Sequence, residues 1–278
     1  MTDMQYFVSI EDNAYCRWQA ELLIESFKYH GLQNQLVIGI ADNEKPDIDA
    51  FKKNLDAHER KFKHKSVGKT FNKTRSLLLA LEKGFLKKPF TLLHPDMLLL
   101  TPIEVKSQSI VYDLNPSYVD GLKAILSDKL AELMRYQRYD WFSWIPLGDT
   151  MIFNQDVRYE FFISVHQELI NLTKRFGEGL KLERAAWLLT IYKNIIFNEE
   201  STLTITGESL EQNFSAHKLF RNIIHYRDGI IPEFSKHNYK YDPPNFMALH
   251  SLNPMDCIFE NNFTTSTHFA NQLIENYR

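Results

Sequence analysis

Apolar and polar positions in the first third of the chain follow two alternating periods. Gln5-Tyr-Phe-Val-Ser-Ile10 and Gln35-Leu-Val-Ile-Gly-Ile-Ala41 are short, β-rich apolar runs, and Lys61-Phe-Lys-His-Lys65 alternates strictly, as an edge strand does. Between them, Tyr15, Trp18, Leu22, Leu23 and Phe27 recur at helical spacing up to a stop near Gly31. Pro46 to Ala57 reads as a short helix, and Asn72 to Glu82 as a longer one that stops at Gly84. Phe90-Thr-Leu-Leu93 reads as a strand covered on both faces, and Pro95, which cannot donate to a ladder, ends it. This alternation predicts an α/β domain with a mostly parallel central sheet.

The second half changes style. Ser109 to Tyr112 reads as a short strand, and Ser117 with Asp120 opens a helix that carries Leu122, Ile125, Leu126, Leu130 and Leu133 on one face. Pro146-Leu-Gly-Asp149 reads as a turn before the strand Met151–Phe153, and residues 156–172 and 180–196 as helices. Beyond Phe220 the pattern is irregular apart from the short apolar run Ile223-Ile-His-Tyr226. No linker divides the chain, so one domain over residues 1–278 is expected, with a helical and irregular C-terminal part. Its functional halves would be 1–104 and 105–278.

At 278 residues, 44% hydrophobic and 24% charged, the chain has the composition of an ordinary globular protein. No apolar run reaches the length of a membrane span and no leader pattern precedes the first strand, so a cytoplasmic protein without a membrane anchor is expected. Two cysteines make neither a disulfide framework nor a thiolate metal site. A net charge of −3 argues against a general nucleic-acid coat protein. From Lys52 to Arg75, however, nine basic residues stand against Asp56 and Glu59. That run is either a solvated helix face with a charged edge strand or a surface for a polyanion.

The phosphate cradles of dinucleotide-binding and P-loop proteins are missing, as are the G-x-S-x-G and H-E-x-x-H motifs. Asp96 falls at the carboxyl end of a central strand, where open α/β sheets bind ligands. A hard carboxylate oxygen there suits Mg²⁺ or Mn²⁺ carrying a diphosphate, and a turn-capping Asp is the other reading. His225 closes the run Ile223–Tyr226 and offers an imidazole nitrogen to an ion, beside the reading of a structural histidine. Phe234-Ser-Lys236 offers an ammonium to a phosphate oxygen. An open sheet with these groups and without the missing motifs points to nucleotide-sugar transfer.

Ordered blocks sharpen this. Tyr15-Cys-Arg-Trp18-Gln19 with Ser26-Phe27-Lys28, Asn72-Lys73 with Leu81-Glu82, and Leu93-His-Pro-Asp-Met97 with Thr101-Pro102 come first. Gly148-Asp-Thr-Met-Ile152 with Asp156-Val-Arg158, then Glu183, His225-Tyr226 and Phe234-x-Lys236 follow. Together they resemble the hydroxyproline arabinosyltransferases and the related peptidyl-serine galactosyltransferases from Tyr6 to about Tyr239. The resemblance implies a GT-A-like (Rossmann-like) fold and a retaining, metal-dependent transferase. Its donor would be a UDP-sugar carrying a pentose such as arabinose, or a hexose. It makes Asp96 and His225 ligands of Mn²⁺ or Mg²⁺ and Lys236 a diphosphate contact. Glu11, Asp12 and Asn13 would lie beside the nucleotide, Asn72 and Lys73 in the donor-binding set, and Asp149 and Glu183 against the sugar or acceptor. His94 stands where the family has an acidic residue, and its imidazole would ligate the ion or contact the ribose. The plant relatives are anchored in the secretory pathway, whereas no anchor or leader is expected here, so a hydroxyproline peptide is not an inherited acceptor. A hydroxymethylated pyrimidine in phage (bacteriophage)-type DNA fits the basic run, with a peptide, a polysaccharide precursor and a small molecule as other acceptors. A sugar nucleotidyltransferase and a silent nucleotide-sugar-binding protein are the rival classes. The first needs a Gly-rich basic loop after its first strand, which Glu11-Asp-Asn-Ala14 is not.

Overall fold

A computed structural model describes residues 4–42, 53–95, 97–103, 109–114, 146–197, 203–205, 223–226, 229–230, 257–259 and 272–273. The helix expected after Ser117 lies outside them, as do residues 46–52 of the expected Pro46–Ala57 helix.

The first strand, β1 (Gln5–Glu11), is followed by α1 (Ala14–Tyr29). Asn13 caps α1 by accepting from the Cys16 backbone N–H at 2.9 Å. The helix ends as its pattern predicts. Gly31 takes φ 68°, its N–H reaches the Lys28 carbonyl, and the Leu32 N–H reaches that of Phe27. This is the paired C-terminal closure for which glycine is the least strained residue. Next come β2 (Leu36–Asp42), α2 (Lys53–Ala57), β3 (Lys61–Lys65), α3 (Lys69–Glu82) and β4 (Phe90–Leu93). α3 begins one turn earlier than the apolar pattern indicates because Gly68, at φ 99°, turns the chain directly into it. The second half contributes β5 (Ile110–Leu114), β6 (Pro146–Phe153), α4 (Tyr159–Phe176), α5 (Leu180–Phe197) and β7 (Thr204–Ile205).

Seven strands form one sheet in the order β3-β2-β1-β4-β6-β5-β7. Every neighbouring pair is parallel except the two made by β6, which runs against both β4 and β5. The turn expected at Pro146–Asp149 is therefore corrected: these residues are the first half of β6. Pro146 is the first residue of the strand, where a missing N–H is tolerated, and its partner Leu114 follows a register shift in β5. Pairing with β5, which reaches Pro146 through Leu114, outweighs the local turn preference of Pro-Leu-Gly-Asp. Beyond Phe220, β8 (Ile223–Tyr226), β9 (Gly229–Ile230) and β10 (Cys257–Phe259) form a separate antiparallel sheet with β8 in the middle.

The main sheet is buried on both faces, which is why β1 and β2 read as nearly continuous apolar runs. Tyr6, Val8, Ile10, Ile38 and Ile40 pack with Leu23, Ile24 and Phe27 of α1 on one side. Phe7, Val37, Phe90, Met151 and Phe153 pack with residues of α3, α4 and α5 on the other. Each fully buried large side chain contributes about 1.5–3 kcal/mol. Among the described residues no helix is long and apolar enough to cross a membrane.

Candidate functional site

The winding of the sheet changes direction between β1 and β4. From β1 the chain moves outward through β2 to β3, then returns to lay β4 on the opposite side of β1. At such a switch point the connections leave to opposite faces, which opens a crevice at the carboxyl ends of the two strands. Val8 pairs with Leu93, and β1 continues past it to Glu11. Glu11, Asp12 and Asn13 thus rim one side of the crevice, and His94 follows β4 on the other.

Asp12 is buried, 1% exposed, and holds two cations. Its Oδ1 accepts from Arg17 Nε at 2.5 Å and its Oδ2 from Lys63 Nζ at 3.0 Å, while its own N–H donates to Ala41. Burial alone would raise its pKa. The hydrogen bonds and charges of Lys63 and Arg17 outweigh that and keep the carboxyl below the usual carboxylate range. Two cations on one carboxylate leave a positive excess, and the Arg17 Nη1 is buried without a hydrogen-bond partner among the described residues. Neither cation was singled out from the sequence. Arg17 had a legible signal: with Asn13 as N-cap, residues 12 and 17 occupy the positions that a helix-entry staple joins. Lys63 had none, because only strand register brings β3 within reach of the end of β1.

Glu11, Asn13 and Asn72 form a second network. Asn72 Nδ2 donates to Glu11 Oε1 at 3.3 Å and to Ser66 Oγ at 3.0 Å, and its Oδ1 accepts from the Val67 N–H at 2.9 Å. Asn13 Nδ2 donates to Glu11 Oε2 at 3.4 Å. Asn72 therefore ties the end of β1 to the turn that leads from β3 into α3.

On the β4 side, Lys73 reaches out of α3 into the crevice. Its Nζ lies 3.3 Å from His94 Nε2 and 3.3 Å from Glu183 Oε1 on α5. The same Glu183 oxygen accepts from Trp187 Nε1 at 3.2 Å, an i,i+4 contact along α5. Asn72 thus joins Glu11 and Asn13, while Lys73, its neighbour on α3, joins His94 and Glu183, so these residues gather around the carboxyl ends of β1 and β4. Asp149 belongs to β6. Leu92 pairs with Met151, so continuing that register sets the Asp149 backbone level with His94. Its side chain lies outside the described residues, as does that of His225 on β8, and Asp96 and Lys236 lie wholly outside them. Among the described residues no three His, Cys, Asp or Glu side chains come together as a metal site, and the Nε2 of His94 faces the Lys73 ammonium.

The basic run is partly spent inside the fold. Lys61 donates to the Asp56 and His58 carbonyls, Arg60 to those of Asn34 and Phe85, and Lys63 and Lys73 are committed as described. Lys65 and Lys69 remain exposed beside the crevice-side end of β3 and the start of α3. A surface cavity of about 660 Å³ near Glu82, Lys88 and Tyr159 lies where β4 begins, at the other end of the strands, and is no part of this site.

The sequence matches no protein-family model and no curated protein. It is similar in structure to the galactosyltransferase LgtC solved with donor and acceptor sugar analogs, at TM-score 0.48 and 9% identity over 98% of this chain and 96% of that one. It is also similar to the apo WbbM bifunctional glycosyltransferase, at TM-score 0.45 and 12% identity over 99% of this chain and 49% of that one. GlyE of Streptococcus pneumoniae TIGR4 follows at TM-score 0.36 and 11% identity, over 73% of this chain and 45% of that one. All three are glycosyltransferases. The chain spans about half the length of WbbM.

Proposed function

We propose that the chain is a retaining glycosyltransferase that moves a sugar, a pentose such as arabinose or a hexose, from a UDP-sugar to a hydroxyl. The observation that carries this reading is the gathering of Glu11, Asp12, Asn13, Asn72, Lys73, His94 and Glu183 at the carboxyl ends of β1 and β4, the switch point of the sheet. The ordered sequence blocks contain four of these residues, Asn72, Lys73, His94 and Glu183, and support the same chemistry.

In such a transfer the bond from the anomeric carbon to the diphosphate breaks, and negative charge grows on the departing oxygen. Fixed donors aimed at that charge lower the barrier because they do not reorganise as it develops. Lys73 suits this part, and Lys236 would be a second contact. The Arg17 Nη1, which has no partner among the described residues, and the positive excess around Asp12 suit an acceptor atom of the nucleotide on the β1 side. Asp149 and Glu183 would hold hydroxyls of the sugar or acceptor. In a retaining reaction the leaving diphosphate oxygen takes the acceptor proton on the same face, so no side chain is assigned as general base. Asp96 and His225 are the proposed ligands of a divalent ion, Mn²⁺ or Mg²⁺, which when bound adds Lewis-acid charge to the same diphosphate.

The test is nucleotide release from UDP-arabinose, UDP-galactose and UDP-glucose, with Asp96→Ala and Asp149→Asn as controls. Slow release of UDP from one donor by the wild type, lost in both variants, is expected. No release and no UDP binding under any metal condition would end the reading. For the acceptor, exposed Lys65 and Lys69 support a polyanion, and labelled sugar is expected on hydroxymethylcytosine DNA. Label found only on peptide or glycan acceptors would exclude DNA and leave the transferase standing.

A further inference from the structure

We infer that Lys73 is a cation built into the donor site, held there by Glu183 and His94 to neutralise the diphosphate, so that binding of a nucleoside diphosphate does not depend wholly on a divalent ion. The inference rests on the nucleotide-sugar reading and assigns charge within that site. Three observations carry it. First, the ammonium is shared: Nζ lies 3.3 Å from both His94 Nε2 and Glu183 Oε1, and its side chain is 17% exposed, so it is sheltered and fixed in the crevice. Second, an imidazole nitrogen that accepts from an ammonium has its lone pair engaged, so on this side the charge beside the substrate is that of Lys73. An ion ligated through the same nitrogen would also sit against a like charge. Third, Glu183 is itself fixed, since Trp187 Nε1 donates to the oxygen that receives Lys73.

Glu183 is then a positioning residue that acts through Lys73. A lysine held this way keeps little rotamer freedom to lose when a phosphate arrives, which is the preorganisation that makes a fixed charge effective. Because an ammonium acts on a phosphate as a point charge, an arginine's charge at the same position also serves, whereas methionine keeps the length and loses the charge.

Calorimetric titrations of UDP and of uridine into wild type, Lys73→Met, Lys73→Arg and Glu183→Gln, each in EDTA and in Mn²⁺, test this. In EDTA the wild type is expected to bind UDP at least tenfold more tightly than uridine. Lys73→Met is expected to lose about tenfold or more of its UDP affinity and none of its uridine affinity. Lys73→Arg should keep most of the UDP affinity, and Glu183→Gln should fall between. Uridine binding serves as the check that each variant is folded at the site. Wild-type UDP affinity in Lys73→Met would overturn the inference, as would equal UDP and uridine affinity of the wild type in EDTA with tight UDP binding restored by Mn²⁺. Failure of the wild type to bind either compound in either condition would overturn the nucleotide-sugar reading and this inference with it.

Discussion

Asp12 shows how much one side chain does at the crevice. It is buried, yet both oxygens are satisfied by cations that come from different elements, Arg17 from α1 and Lys63 from β3. Removing the charge strands a buried guanidinium, so Asp12→Asn is expected to cost about 3 kcal/mol of stability at pH 7 in chemical denaturation. The pH dependence has a definite sign. The folded-state pKa is depressed, so the contribution is complete above the unfolded value, about 3.9, and is lost as pH falls through the folded value. The gap between wild type and variant should stay level from pH 7 to about 5 and close below about 4. A gap that stays open into strong acid would mean that the pair with Arg17 and Lys63 is not what Asp12 contributes.

At the scale of elements, two contacts set how helices meet their neighbours. Glu21, fully buried in α1, accepts from the Asn54 and Leu55 N–H groups at 2.7 and 2.9 Å and so caps the start of α2 from a distance. Glu21→Ala leaves two buried donors orphaned and is expected to cost about 2–4 kcal/mol, read as a lower denaturation midpoint, with Glu21→Gln less damaging. Nothing in the spacing of residues 21 and 54 announces this pairing. Gly39 lies in β2 between Ser9 of β1 and Phe62 of β3. A Cβ there would stand 2.9 Å from Ser76 Cβ on α3, so the missing side chain is what lets α3 approach the sheet. It also permits the chain of hydroxyls in which Ser9 Oγ donates to Ser76 Oγ, which in turn meets His64 Nε2. Gly39→Ala is expected to cost about 1–3 kcal/mol by overpacking. An unchanged midpoint would show that α3 can shift freely. The glycine was visible inside an apolar strand run, and its reason was not.

For the whole molecule, acid should act before the carboxylates titrate. Burial pushes the imidazoles of His58, His64 and His166 below their ordinary pKa. Lys61, Arg60 and Lys28 add to this for His58, Arg75 and Lys83 for His64, and Arg75 for His166. As pH falls through about 6.5 the unfolded chain takes up protons that the folded one resists, so stability declines, by at most about 1.4 kcal/mol per pH unit for each histidine. Urea midpoints at pH 7.5 and 5.5 should differ accordingly, and His58→Gln should flatten the profile. A flat wild-type profile would contradict burial of these rings.

Local pattern alone determined a great deal: the described strands and helices from Gln5 to Leu93, with residues 46–52 of the expected second helix outside them, the stop at Gly31, the break before Pro95, and a mostly parallel α/β sheet. Those features follow from periodicity, capping and the missing proline N–H, all of which act over a few residues. The residues around the crevice could also be nominated one by one, since strand ends and ordered blocks are local signals. Only the tertiary structure decided how they are joined. Strand pairing reversed β6 and turned Pro146–Asp149 from a bend into ladder. Register carried Lys63 across β2 to Asp12. The packing of α5 against α3 brought Glu183 from the second half of the chain to Lys73. Partners so distant in sequence leave no periodic trace, because their proximity is set by how sheets and helices stack rather than by the chemistry of neighbouring residues.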